Sequence, residues 1–224
     1  MNAVIILGIV ILVVLILLNI KIPNTKDKRK QYLQSLADYL ETKLEPMEGQ
    51  DHSYRLRFVY KNKQFIFEDV EDRLQNSCVY KVFLKAITSS KLKIDFTERP
   101  RTTIRANVQS LDDLKAPWLV DAEKVILPPP LQGFTVFASD NKKAIQLFTK
   151  DQVVKIFTGF KNMTSLGHPY QSLAIVDGVV TLSFHPPGEL KPTWGDLQEN
   201  ISRIEDFLEQ VNIVAEEVEA LEEK

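Results

Sequence analysis

Three histidines and one cysteine are the residues of this chain best suited to metal ligation or nucleophilic work, and they are few and scattered. His52, His168 and His185 come from distant segments, so a histidine-rich metal site would need nearly all of them at once. His168-Pro169 and His185-Pro186 both fall at expected loop–strand junctions, where surface or turn histidines are the ordinary occupants. The single Cys78 excludes an intramolecular disulfide framework and a multi-cysteine zinc site. Its neighbours Cys78-Val79-Tyr80-Lys81-Val82-Phe83 are apolar enough for it to pack as a small hydrophobe.

Carboxylates gather at residues 68–72 (Glu68-Asp69, then Glu71-Asp72) and at Asp112-Asp113. Paired carboxylates can bind a hard cation or share acid and base duty. Adjacent acids at a strand end are more often simply solvated. The segment Thr164-Ser165-Leu166-Gly167-His168 lacks the glycine two before the serine that a nucleophile elbow uses. No HExxH, Walker loop or GxGxxG is present, and eight glycines leave little material for a phosphate cradle. These residues therefore assign no catalytic group, no cofactor and no metal. An enzyme here would need a site assembled from scattered pieces, with His168, His185 and the acids of 68–72 as its parts.

The basic residues say more. Ala3 through Leu18 is an unbroken run of apolar or glycine residues, extended by Asn19-Ile20. At 1.5 Å per residue such a helix spans about 27 Å, close to the hydrocarbon thickness of a bilayer. Neither a positively charged start nor a small-residue cleavage site accompanies it, which separates it from a cleaved signal peptide. Lys21, Lys26, Lys28, Arg29 and Lys30 flank only its C-terminal end. The positive-inside rule then places the N-terminus outside and the following domain in the cytoplasm. The same five residues are the candidate contacts with anionic lipid headgroups. In that orientation the sequons Asn162-Met163-Thr164 and Asn200-Ile201-Ser202 stay unmodified.

Charge is graded along the chain. Residues 21–105 carry 18 Lys and Arg against 12 Asp and Glu, whereas residues 196–224 carry 2 against 10. The membrane-proximal part is basic and the far end acidic. The whole chain has a net charge of −2, so nucleic acid is a disfavoured partner. The lipid bilayer and an unknown protein partner remain.

The elements that must position these residues are those of an α+β domain. Five segments are expected: an anchor over 1–22, a basic juxtamembrane amphipathic helix within 23–50, and a β-meander lobe over 51–105. A proline-containing connector over 106–132 and an α+β lobe over 133–224 complete them. Tyr32, Leu33, Leu36, Tyr39, Leu40 and Leu44 recur at helical spacing after Thr25. Tyr54, Leu56, Phe58 and Tyr60 alternate with polar neighbours, and Gln64–Val70 pairs back after Lys61-Asn62-Lys63. Cys78–Ile87 and Lys91–Phe96 are expected to form a second hairpin turning at Thr88-Ser89-Ser90. Arg55, Arg57, Lys91 and Lys93 then alternate outward, with Lys81 and Lys85 beside them. Pro128-Pro129-Pro130 predicts an extended spacer.

In the second lobe a strand over Phe134–Ala138 leads to a helix capped by Ser139 or Asp140, and Asp151 restarts it. Asp177-Gly178 marks a tight hairpin between Ser172–Val176 and Val179–Phe184. A long helix from Trp194 or Asp196 to Leu221 carries Leu197, Ile201, Ile204, Leu208, Val211, Ala215 and Val218 at four-three spacing. Phe207, Ile213 and Val214 widen that stripe, which predicts packing on the domain's own sheet over a coiled-coil seam. The acidic stretch after Ala215 is expected to project into solvent. The function this supports is a membrane-tethered, non-enzymatic binding or scaffolding domain. An oligomerising component of a membrane complex, joined through the last helix, is the alternative.

Overall fold

The structure, a computed structural model, describes residues 25–74, 77–98, 119, 121–132, 134–164, 171–184 and 197–223. The apolar run Ala3–Ile20, Lys21, His168 and His185 lie outside the described residues. Among the described residues, no helix is long and apolar enough to cross a membrane.

Among the described residues, nine antiparallel strands form one sheet: β1 (Glu45–Pro46), β2 (Tyr54–Tyr60), β3 (Lys63–Leu74), β4 (Ser77–Ile87) and β5 (Ile94–Glu98), then β6 (Glu123–Lys124), β7 (Phe134–Ala138), β8 (Gln171–Val176) and β9 (Val179–Phe184). Their order across the sheet is β1-β2-β3-β4-β9-β8-β5-β7-β6. The described residues also form four α-helices: α1 (Thr25–Tyr39), α2 (Asn141–Phe148), α3 (Asp151–Thr164) and α4 (Leu197–Ala220). The architecture is α+β with an antiparallel sheet.

Alternation decides which strand face is buried. Leu56, Phe58, Phe65, Phe67, Val82, Leu84, Ile94, Phe96, Leu173, Ile175, Val180 and Leu182 all point to one side and share one core with side chains from all four helices. Phe96 is central there, its ring centroid 4.5, 5.7 and 4.1 Å from those of Phe134, Phe148 and Phe157. Such aromatic contacts add to simple area burial. The opposite face carries Arg55, Arg57, Ile66, Glu68, Phe83, Lys85 and Thr181, and these are outside that core.

Two hairpins follow from turn chemistry. Lys61-Asn62 and Asp177-Gly178 both take positive φ at the two central positions (47° and 65°, 49° and 76°), the backbone of the turn that matches strand twist. Gly178 has a second reason to be glycine. A Cβ there would stand 2.8 Å from the Thr88 carbonyl oxygen, and the Thr88 amide donates to the Gly178 carbonyl at 2.7 Å. Asp140 caps α2, accepting a hydrogen bond from the Lys143 amide.

Three expectations are corrected. Lys91–Phe96 does not form a hairpin with Cys78–Ile87. β4 pairs instead with β9, and β5 inserts between β8 and β7. That insertion carries Phe96 into the aromatic cluster, and it joins both expected lobes through one sheet and one core. Pro129–Leu131 is a 3-10 turn with Leu131 buried, so only Pro128 keeps the extended conformation expected of the run.

The acidic end of α4 is the third correction. Val218 and Leu221 are buried, and the acids around them are held by partners. Glu222 accepts from the Ser90 hydroxyl at 2.8 Å, from the Lys91 amide at 3.0 Å and from Lys143. Glu219 pairs with Lys63, and Glu217 lies 3.3 Å from the Lys150 ammonium. Placing the carboxylates on the rim leaves the apolar side chains between them free to be buried.

Candidate functional site

Two charged clusters flank β3, one on each face, because Glu68 and Asp69 are consecutive on a strand and point in opposite directions. On the helix-covered face, Asp69 accepts from Arg29 of α1 through both carboxylate oxygens, with Nε donating at 3.0 Å. The side chains are 3% and 1% exposed. Burial pushes the Asp69 carboxyl upward and the Arg29 guanidinium opposes it. Tyr32, one turn along α1, has its hydroxyl pushed up by burial. Arg29 therefore faces inward, in contrast to its expected place among the lipid contacts. The helix face that presents Leu33, Leu36 and Ala37 to the core also carries Arg29 inward. Lys30 is exposed, and the side chains of Lys26 and Lys28 lie outside the described ones.

On the other face Glu68 receives Arg55 at 2.8 Å and Lys85 at 2.5 Å. Arg55 stands directly across β2 from Glu68, and Phe83 directly across β4. Lys81 and Lys85 reach over the Phe83 ring at 5.0 and 5.7 Å. Burial pushes the Glu68 carboxyl up, but hydrogen bonds and charge from Lys85 and Arg55 outweigh that and hold it below its usual range. The basic strand face read from the sequence thus exists for Arg55, Arg57, Lys81 and Lys85, with Glu68 neutralising its centre. Lys91 and Lys93 lie elsewhere. Lys93 stands 3.6 Å from Asp177 at the β8–β9 turn.

A shallow, open groove adjoins this cluster, lined by Gly49, Gln50, Asp51, Val70, Glu71, Lys81 and Phe83. It mixes two acids with one lysine and encloses little, which suits surface contact better than chemistry on a sequestered small molecule. The acids of 68–72 form no carboxylate pair among the described side chains: Glu68 and Asp69 each bind cations on opposite faces. Among the described residues, no group of three or more His, Cys, Asp or Glu side chains could hold a metal ion. His52 is exposed in the loop before β2, at a φ of 56°.

The inward ion pair was the feature missed by sequence reasoning. Asp69 follows Phe65 and Phe67 at strict alternation, so a charge on a core-facing position was the available signal. No protein-family model, curated protein or solved structure matches this chain.

Proposed function

We propose that this chain is a single-pass membrane protein whose cytoplasmic domain is a non-enzymatic binding or scaffolding platform held close to the bilayer. One observation carries the reading: the apolar run Ala3–Ile20 and its one-sided basic flank lead within four residues into α1, and α1 is fixed to the sheet by Arg29 and Asp69. Such a mount suits presentation of a surface at the membrane. The cations of Lys26, Lys28 and Lys30 are assigned to anionic headgroups, each contributing at most about 1 kcal/mol near the surface. Burial of Leu208, Val211, Val214 and Ala215 in α4 supports a platform over assembly through that helix.

The full chain is expected to stay with membranes through carbonate washing. A reporter fused after Lys224 is expected to be active only in the cytoplasm. Release by carbonate removes the anchor from the reading, and the opposite reporter pattern removes the orientation. Proximity labelling in the native membrane then identifies the protein partner.

A further inference from the structure

We draw no further inference here: the strongest candidate, the surface patch of Val59, Ile66, Ile87 and Val179 on the sheet face turned away from the helices, carries nothing, because Arg57 and Lys85 beside it are already paired with Glu45 and Glu68 and nothing in the structure shows what covers it.

Discussion

At the scale of single residues, the most consequential pair is Arg29 with Asp69, both removed from water. A buried ion pair need not stabilise relative to apolar side chains of similar size, because desolvating two charges offsets their attraction. Breaking it from one side is different, since it strands a charge in the core. Arg29→Ala and Asp69→Ala are each expected to destabilise the full chain by about 3–5 kcal/mol. The double replacement Arg29→Met with Asp69→Leu is expected to recover most of that loss. Chemical denaturation of the detergent-solubilised protein measures both effects. Single variants within the error of wild type would mean that the pair does not tie α1 to the sheet. The pair also shows a limit of sequence reading: a basic run after an apolar helix reads as lipid-facing throughout. Helical geometry nevertheless turns one of its members, Arg29, onto the same side as Leu33 and Leu36.

Among the elements, α4 shows how an acidic sequence can be ordered. Its apolar stripe was legible from spacing alone, and Leu208, Val211, Ala215 and Val218 are buried. The acids beside the stripe suggested a solvated end, because their partners come from elsewhere in the chain: Lys63, Ser90, Lys91, Lys143 and Lys150. No local pattern announces such contacts. Hydrogen bonds from Lys143 and Ser90, helped by the Lys91 amide and opposed by burial, bring the Glu222 carboxyl down from 4.5 to about 2. A carboxyl whose folded value lies below its unfolded value stabilises the protein above the unfolded value, and loses that contribution as pH falls through the folded one. The contribution of Glu222 is therefore present at neutral pH and disappears between roughly pH 5 and pH 2. Lys61 and Tyr60 lower Glu209 in the same sense, and Lys85 and Arg55 lower Glu68 against its burial. Acid unfolding followed by circular dichroism is expected to show this loss. Glu222→Gln should be less stable at pH 7 and less sensitive to acid, with Glu209 and Glu68 supplying the sensitivity that remains. An acid limb identical to wild type would remove Glu222 from this role.

For the whole molecule, sequence periodicity revealed most strands and helices but not how they are joined. Alternation identifies β2, β3 and β4 as strands, and Asp177-Gly178 identifies a hairpin, because both signals are local. Which strand lies beside β4 is a non-local matter. β4 takes β9 as its neighbour, from near the other end of the chain, and β5, between β8 and β7, carries Phe96 into the aromatic cluster. The consequence is testable. If 51–105 were a lobe of its own, the segment 23–132 would fold without the rest of the chain. In the single sheet, β4 would lose its whole pairing edge to β9, and β5 would lose both neighbours, β8 and β7. Leu84 and Ala86 would be uncovered with the loss of α4, and Phe96 with the loss of Phe148 and Phe157. Segment 23–132 is accordingly expected to show no cooperative melting and to exchange its amide hydrogens rapidly. The chain from residue 23 onward should instead unfold in one transition, with calorimetric and van't Hoff enthalpies in agreement. A sharp, reversible melt of 23–132 alone would restore two separately folding lobes. It would also mean that the contact between β4 and β9 forms after folding, as docking between finished halves.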